Sequence, residues 1–344
     1  MSKPKIAVDA MGGDFGPEVT VPAVIQYLQK QTEIDVILVG LEEELQAQLA
    51  ANKGNSLLEQ GRIELVHASQ VVEMSEPPAL ALKKKKDSSM RVAINLVKEG
   101  HAVANVSAGN TGALMATARF VLKTIPGIDR PAIISTMPCL DTSQTLHMLD
   151  LGANVDSTPE MLFQFAVMGS VLTQFVDKKE NPTIALLNVG AEEIKGSEKV
   201  KKTAALLSES NLNYVGYIES DELFHAKVDV IVADGFEGNV ALKASEGTAK
   251  MIFSVLREEY GRGLWSKLAA LLALPVIKRI QKRLDPRLYN GATLVGLNGI
   301  VVKSHGGTDD VGFLHALEEA GTQIRRNVVS HISEEIQKTI ITDS

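Results

Sequence analysis

The sequence predicts an α/β protein with a mainly parallel sheet and helices on both of its faces. Two observations predict this fold. Short apolar runs rich in Val, Ile, Leu and Ala alternate with helical periods along almost the whole chain, and glycine-containing loops directly follow several of the runs. Strands that alternate with helices specify a mainly parallel sheet, and such sheets bind ligands beyond the carboxyl ends of their strands.

The predicted strands are short buried runs bounded by polar or glycine-containing segments. They comprise residues 6–8, 36–39, 63–66, 103–106, 133–135, 184–189, 228–233 and 299–303. The predicted helices show apolar residues at helical spacing. They comprise residues 19–29, 42–51, 113–122, 159–175, 199–208, 241–256 and 310–335.

Length and composition are those of an ordinary soluble globular protein. At 344 residues, with 45% hydrophobic and 22% charged residues, the chain can bury a large core,. We predict a single elaborated α/β domain over residues 1–340, which includes an amphipathic excursion at residues 260–288. The net charge of −7 argues against a nucleic-acid partner, since neutralising phosphates needs a basic face,.

Cysteine and histidine usage argues against disulfides and metals. The single cysteine, Cys139, cannot form an internal disulfide, and residues 1–5 lead into an apolar strand without a signal-like region,. We therefore expect a cytoplasmic protein. The seven histidines show no metal-binding spacing, so we expect no metal and no cofactor,.

The glycine loops are the most informative feature for function. They comprise residues 9–14, 107–112, 150–154, 188–196, 233–239 and 305–309. Glycine lets backbone N–H groups approach a ligand, and a helix N-terminus beyond such a loop favours anions. Several such loops at one edge of the sheet would build a phosphate-sized site. None matches a nucleotide-binding fingerprint, which indicates a small anion or a phosphorylated or acylated metabolite.

Two polar side chains in these loops are candidates for chemistry. Lys195 could hold a phosphate or neutralise charge on an attacked carbonyl, but it could equally be a loop lysine paired with Glu192 or Glu193,. Asn239 offers an amide donor at a helix start, where a simple N-cap is the alternative,.

The remaining candidates for anion binding lie in four of the loops, and capping or loop fixing explains part of their composition. They are Gly12, Gly13, Asp14, Ser107, Gly109, Asn110, Thr111, Gly112, Gly235, His305 and Gly306. A basic run just before a predicted helix start, Lys83 to Lys86, could dock an acidic partner protein or help hold phosphate. A solvated surface is the alternative,.

The excursion at residues 260–288 interrupts the alternating pattern. It contains seven basic residues and one acidic residue, and its uncharged run of ten residues is too short to cross a bilayer,. Apolar residues keep helical spacing on both sides of Pro275, which predicts two short amphipathic helices joined at the proline. Such helices could lie in an anionic lipid surface, pack in a dimer interface or pack on the protein's own core. The candidate lipid contacts are Leu264, Trp265, Leu268, Leu271, Leu272 and Ile277.

Taken together, the motifs resemble those of the bacterial phosphate acyltransferase family, in the family's order from about residue 5 to residue 328. The resemblance rests on Asp9-Ala-Met-Gly-Gly-Asp14, Lys85-Lys-Asp-Ser-Ser-Met90, Ser107-Ala-Gly-Asn-Thr-Gly-Ala113, Asp150-Leu-Gly-Ala-Asn154, Asn188-Val-Gly-Ala-Glu-Glu193, Asp234-Gly-Phe-Glu-Gly-Asn239 and Ser304-His-Gly-Gly-Thr308.

The resemblance implies an isocitrate/isopropylmalate dehydrogenase-like fold shared with phosphotransacetylases, and a homodimer on the inner face of the membrane. The implied reaction converts acyl-[acyl carrier protein] and inorganic phosphate into acyl phosphate for phospholipid synthesis. The product would pass to a downstream membrane glycerol-3-phosphate acyltransferase. The resemblance also implies that Lys195 and Asn239 are the catalytic candidates and that the excursion at residues 264–284 contacts the membrane. For the acyl carrier protein, Lys84, Lys85 and Lys86 are the docking candidates.

We expect phosphate to attack the thioester carbonyl while backbone N–H groups hold it, at Gly12, Gly13, Gly109, Gly112 and Gly235. In this scheme Lys195 offsets charge and Asn239 polarises the carbonyl. Two alternatives stay open at this stage. One is a short-chain phosphotransacetylase that uses acyl-coenzyme A, and the other is a non-catalytic membrane scaffold.

Overall fold

The computed structural model describes residues 3–141, 143–225 and 227–341. The strands within these ranges are β1 (Lys5–Asp9), β2 (Asp35–Gly40), β3 (Ile63–His67), β4 (Ala104–Ser107), β5 (Ala132–Met137), β6 (Leu146–Leu149), β7 (Ile184–Leu187), β8 (Tyr214–Ile218), β9 (Val230–Val232), β10 (Ala292–Val295) and β11 (Ile300–Lys303).

The helices within the same ranges are α1 (Pro17–Lys30), α2 (Glu42–Ala51), α3 (Asn55–Glu59), α4 (Pro78–Lys84), α5 (Ser89–Lys98), α6 (Thr111–Leu122), α7 (Pro159–Val176), α8 (Glu198–Glu209), α9 (Gly235–Gly261), α10 (Leu264–Arg283), α11 (Asp310–Arg326) and α12 (Val328–Ile336).

The described strands form one continuous sheet in the order β3-β2-β1-β4-β11-β10-β5-β6-β9-β7-β8. Seven of the ten strand pairs are parallel, and the other three involve β10 or β5. The predicted α/β fold with a mainly parallel sheet is therefore confirmed. The sequence-based prediction missed β6, β8 and β10, because each is only four or five residues long and β8 is interrupted by glycine,.

The sheet changes direction in its middle. Strands β1 to β4 and β11 run one way, whereas β6, β7, β8 and β9 run the other, because the sheet passes through antiparallel pairs between β11, β10, β5 and β6. The six glycine loops consequently do not all lie at one edge of the sheet. Three loops leave the β1–β4–β11 edge, and the other three leave the opposite edge beyond β6, β9 and β7.

Alternation of side chains along the strands builds a core on each face of the sheet. Within β1, Ile6 and Val8 face α1 and α11, whereas Ala7 faces α5 and α6. A third apolar cluster lies between α7, α12 and the β6–β9–β7 strands, with Phe165 at its centre and fully buried. Burial on both faces explains why the central strands are almost continuously apolar.

Two helix predictions need correction. The closing helix predicted for residues 310–335 is divided, because Asn327 adopts a left-handed conformation with φ of 50° and ends α11,. In addition, α9 begins at Gly235 rather than near residue 241. Its N-cap is Asp234, whose carboxylate accepts a hydrogen bond from the N–H of Phe236,.

The excursion is a helical hairpin, formed by the later turns of α9 and by the whole of α10. The prediction of two short helices joined at Pro275 is wrong, because α10 is continuous through that proline. An interior proline removes one helical hydrogen bond and costs about 3 kcal/mol, which the rest of a 20-residue helix can offset,. No residue of α10 is buried, so packing on the protein's own core is excluded as its role. Among the described residues, no helix is both long and apolar enough to cross a membrane.

Candidate active site

Three of the glycine loops meet at the β1–β4–β11 edge. The backbone N–H of Asp14 donates to the carbonyl of Gly306 at 2.9 Å, and the N–H of Ser304 donates to the carbonyl of Ser107 at 2.9 Å. At Gly13, φ is +93°, and a methyl group added there would lie 2.9 Å from the oxygen of Gly306. Only glycine fits this crossing without strain, so the three loops are held in mutual contact.

A buried carboxylate ties these loops to the sheet and to α5. Asp9 is 1% exposed, and it accepts short hydrogen bonds of 2.6 Å from the hydroxyls of Ser89 and Ser107. Burial raises the pKa of Asp9, while the two serine hydrogen bonds and nearby Lys303 lower it. The carboxylate thus joins the end of β1 to the first residue of α5 and to the end of β4.

Lys303 supplies positive charge beneath the same loops. Its side chain is 8% exposed, and its ammonium donates to the carbonyl oxygens of Ala108, at 3.2 Å, and Ser304. Burial lowers the pKa of Lys303 to about 8, against the opposing influence of Asp9 and Asp14,. Sequence reasoning missed this lysine. The available signal was a lysine at the end of an apolar strand and directly before a glycine loop.

Helix α6 points its N-terminus at this edge. Asn110 caps the helix by accepting from the N–H of Ala113 at 3.0 Å, and its amide donates to the carbonyls of Met74 and Glu76. Its polar atoms are therefore already used, which favours the capping interpretation. Thr111 and Gly112 lie in the first turn, where backbone N–H groups lack intrahelical partners.

His305 is an exposed member of the cluster, as are Asp14, Thr111 and Gly112. Its Nδ1 accepts from the N–H of Gly307 at 3.1 Å, which leaves Nε2 as the protonated nitrogen of the neutral ring,. Burial, then the charges of Lys303 and Lys243, lower its pKa and favour this neutral form. The loop is positioned by Asn290, whose side chain accepts from the N–H of His305 and donates to Ser304. Asn290 was not predicted from the sequence.

The five predicted backbone donors differ in availability. The N–H groups of Gly12, Gly109 and Gly235 already donate to Asp9, Ser107 and Asn154 respectively. Those of Gly13 and Gly112 have no acceptor among the described residues. The prediction that all five hold phosphate therefore needs correction: the geometry leaves Gly13 and Gly112 open, together with Thr111.

Asp14 and Gly306 join the loop at residues 9–14 to the loop at residues 305–309. The N–H of Asp14 is bound to Gly306, and its carboxylate lies close to Gly307, since a methyl group there would be 3.1 Å from Oδ2. Gly306 itself packs beside Met74. The negative charge of Asp14 opposes a direct contact with an anion.

Two of the other three loops, at residues 150–154 and 233–239, form a second cluster beyond β6 and β9. Asp150 is fully buried and accepts from the N–H groups of Ile133, Ala153 and Asn154. Added methyl groups at Gly235 and Gly238 would lie 2.3 and 2.0 Å from backbone oxygens of this loop. These glycines therefore allow close packing of α9 on the chain itself.

Asn239 lies one turn into α9, beside Gly152. It is exposed, and its amide has no hydrogen-bond partner among the residues described. Because Asp234 is the N-cap of α9, the capping explanation for Asn239 is wrong, and its amide is available to a ligand.

Lys195 pairs with a neighbour in its own loop. Its ammonium lies 2.7 Å from the carboxylate of Glu192, and 46% of its side chain is exposed. Glu192 raises its pKa. The structure places no contact between Lys195 and Asn239 within its described ranges. The loop-lysine alternative describes this geometry, and a catalytic role for Lys195 remains a prediction.

Helix α9 connects the two edges. It begins at Gly235 in the second cluster, and Lys243, four residues past Asn239, lowers the pKa of both Lys303 and His305. Four residues span about 6 Å along a helix. Asn239 is therefore one turn away from a lysine that acts on the β1–β4–β11 edge.

Comparison with known proteins decides the family. A profile described as "Fatty acid synthesis protein" matches residues 4–331. A protein named phosphate acyltransferase from Legionella pneumophila (strain Paris) is 55% identical over 336 residues, which cover 97% of each chain. One of the same name from Chromobacterium violaceum is 56% identical, covering 97% of this chain and 96% of its own. The chain belongs to the phosphate acyltransferase family.

Solved structures support the same fold for this family. A phosphotransacetylase from Streptococcus pyogenes superposes with a TM-score of 0.60 at 18% identity, over 93% of this chain and 94% of its own. The EutD phosphotransacetylase from Staphylococcus aureus gives 0.58, also at 18% identity, over 93% of both chains. At 18% sequence identity these superpositions show that the fold is shared, and they show nothing about the reaction.

Proposed function

We propose that this protein transfers the acyl group of acyl-[acyl carrier protein] to inorganic phosphate, giving acyl phosphate and free carrier protein for membrane phospholipid synthesis. The observation that carries this proposal is the convergence of three glycine loops and the α6 N-terminus over buried Lys303, within a member of the phosphate acyltransferase family. This arrangement suits a small anion, because it combines open backbone donors with a fixed positive charge.

In the proposed site, phosphate contacts the N–H groups of Gly13, Thr111 and Gly112 and the Nε2–H of His305. One phosphate oxygen attacks the thioester carbonyl, and the tetrahedral intermediate then expels the carrier thiolate. Phosphate is largely dianionic near neutral pH, so the attack needs no strong base. The main requirement is to hold anionic phosphate against the thioester carbonyl while negative charge develops on the carbonyl oxygen, which the donors and Lys303 favour electrostatically.

Asn239 is the proposed donor to the thioester oxygen, because its amide has no partner among the described residues and it lies one helical turn from Lys243, whose charge lowers the pKa of His305. The proposed role for Lys195 requires it to leave Glu192 and offset developing charge. Loss of one preorganised donor in such sites lowers turnover by about a hundredfold or more.

The decisive experiment incubates purified protein with an acyl carrier thioester and labelled phosphate, and traps the mixed anhydride with hydroxylamine. We expect labelled acyl phosphate and stoichiometric release of carrier thiol. Release of thiol without the labelled anhydride would contradict the proposal. Equal or faster turnover with acetyl-coenzyme A would favour a short-chain phosphotransacetylase, and no reaction with either donor would favour a non-catalytic scaffold.

The variants Lys195→Ala and Lys199→Ala distinguish a lysine that takes part in the reaction from one that stabilises the fold. Lys199 pairs with buried Asp234 at 2.8 Å, so its removal leaves a buried carboxylate without its cation and should lower stability,. Lys195 is half exposed, so Lys195→Ala should keep the wild-type melting temperature and lose acyl phosphate formation. Near-normal turnover of Lys195→Ala would exclude the proposed role.

We also propose that the protein works in the cytoplasm, as a homodimer attached to the inner face of the membrane. The exposed apolar side chains of α10 support attachment, since Leu264 and Trp265 are 88% and 84% exposed,. Attachment would release the apolar, labile acyl phosphate directly to a membrane glycerol-3-phosphate acyltransferase. The apolar face of α10 could also contribute to the dimer.

A further inference from the structure

An exposed aromatic ring on α6 is flanked by two cations. Phe120 is 53% exposed. The guanidinium carbon of Arg91, from α5, lies 5.1 Å from the ring centroid, and the ammonium of Lys123 lies 4.9 Å from it. The side chain is therefore held in a defined position at the surface by cation–π contacts, rather than by burial in the core.

The chain segment that carries Phe120 is strongly basic, although the whole chain has a net charge of −7. Residues 78–130, which include α4, α5 and α6, contain nine basic and three acidic residues. The exposed cations of this segment are Lys83, Lys84, Lys86, Lys98, Lys123 and Arg130. Charge concentrated in this way attracts a negatively charged partner and orients its approach.

Composition at this surface is typical of a protein interface. Aromatic residues and arginine are enriched at interface centres, where a rim of polar and charged residues surrounds them. Arg91 is partly desolvated beside the ring, which lowers its pKa and weakens its hydration. A carboxylate of a partner protein could therefore pair with Arg91 while displacing little water from the guanidinium group.

The three helices of this face also reach the candidate active site. Ser89 of α5 donates to Asp9, Asn110 caps α6, and Pro78 of α4 packs beside Gly112. Phe120 lies ten residues beyond Asn110, about 15 Å along the helix axis. A partner bound at Phe120 would be close enough to deliver a group held on a flexible prosthetic arm.

We propose that the α4–α5–α6 face, centred on Phe120, is the docking surface for the acidic face of the acyl-carrying protein. This inference rests on the proposed function, which requires a protein-bound acyl donor. A second copy of this chain is disfavoured, because two such basic faces repel each other. A lipid surface is disfavoured, since Phe120 is a single aromatic side chain and the continuous exposed apolar face belongs to α10.

The proposal changes one earlier docking candidate. Lys85 donates to the carbonyl of Val71 at 2.9 Å and lies 3.9 Å from the carboxylate of Glu76, so it stabilises its own loop. Lys84 and Lys86 are exposed and remain docking candidates, with Lys83 beside them.

Lys123→Glu and Phe120→Ala test the docking surface, and Lys53→Glu provides a matched control. Lys53 is another exposed lysine after a helix, with φ of 59° against 62° for Lys123, so both variants place a glutamate at a residue with positive φ. The readout is kcat/KM for the acyl carrier thioester and for the same acyl group on free pantetheine.

We expect Lys123→Glu and Phe120→Ala to raise the KM for the carrier thioester at least tenfold and to leave the pantetheine thioester unchanged. Lys53→Glu should match the wild type with both donors. The wild-type kcat/KM for the carrier should fall between 50 and 300 mM salt, on the order of several-fold, and less steeply in Lys123→Glu.

Unchanged carrier KM, or an equal loss with both donors, would overturn the docking surface. So would a change in oligomeric mass or in vesicle sedimentation for Phe120→Ala, since the face would then serve a second copy or a lipid surface. Should the wild type form no acyl phosphate with either donor, the proposed function fails. Titration of labelled acyl carrier protein with the wild type and with Lys123→Glu then tests the docking surface by itself. Equal affinities for the two proteins would reject the docking surface.

Discussion

At the scale of single residues, the β1–β4–β11 edge depends on groups that are buried or constrained. The carboxyl group of Asp9 and the amine of Lys303 are buried beneath the loops, and Gly13 allows two loops to cross in contact. Substitutions of Lys303 and Gly13 should therefore change the KM for phosphate or the free energy of unfolding.

Lys303 makes phosphate binding depend on pH. Its folded-state pKa is about 8, below the usual 10.5, so the folded protein loses this proton as pH rises through 8. We expect the KM for phosphate to rise between pH 7.5 and 9, by up to about tenfold, which corresponds to roughly 1.4 kcal/mol. In Lys303→Met the KM should be high throughout and flat with pH. If the KM for phosphate rises with pH in Lys303→Met as it does in the wild type, another group is responsible for the titration.

Gly13→Ala tests the crossing of the loops, and Gly61→Ala is the control. Both glycines have positive φ, of 93° and 70°, but a methyl group at Gly61 meets nothing within 4 Å. We expect Gly61→Ala to lose about 1 kcal/mol of unfolding free energy from backbone strain alone. Gly13→Ala should lose about 1–3 kcal/mol more and should weaken phosphate binding. Equal losses in urea unfolding would show that the crossing tolerates a side chain.

At the scale of elements, α9 and α10 have different tasks. Helix α9 starts in the second loop cluster and brings Lys243 toward His305, so it links the two edges of the sheet. Helix α10 is attached near its end through Arg283, which donates to the carbonyl of Leu140, and most of its apolar side chains are exposed, whereas Ile277 is half-buried. Such a helix can bind a surface without disturbing the core.

Leu268→Glu with Leu272→Glu should abolish sedimentation with vesicles that contain anionic lipid, because two charges are placed on the apolar face of α10,. Ser266→Glu with Gln281→Glu adds the same charge to the same helix and keeps every apolar side chain. We expect this control to retain most binding. The melting temperature should change little in either variant, since no residue of α10 is buried. Equal sedimentation of the two double variants would reject lipid contact by this face.

At the scale of the whole molecule, one sheet runs through both loop clusters. The described strands pair without interruption from β3 to β8, and the antiparallel strands β10 and β5 lie where its direction changes. The two clusters consequently leave opposite edges of the sheet, and α9 connects them. Continuous pairing is also the structural basis for the predicted single domain.

Calorimetry tests that prediction. We expect one unfolding transition, with equal calorimetric and van't Hoff enthalpies, because no break in the sheet separates two cores,. Leu294→Ala, at a 1% exposed position of β10, should destabilise the protein by about 2–5 kcal/mol and shift the whole transition,. Two resolved transitions, with only one shifted by this substitution, would show two independently folding domains.

The sequence alone determined the fold class, because apolar runs such as residues 36–39 and helical periods such as residues 42–51 are local patterns. It also located the glycine loops and the amphipathic excursion at residues 260–288, whereas the continuity of α10 through Pro275 and its exposure came from the structure. Tertiary structure decided which loops meet, since strand direction depends on long-range pairing through β10 and β5. It likewise decided that Lys303 is buried beneath the loops and that Asn239 is free while Asn110 is a cap, because burial and hydrogen-bond partners come from residues far away in the chain.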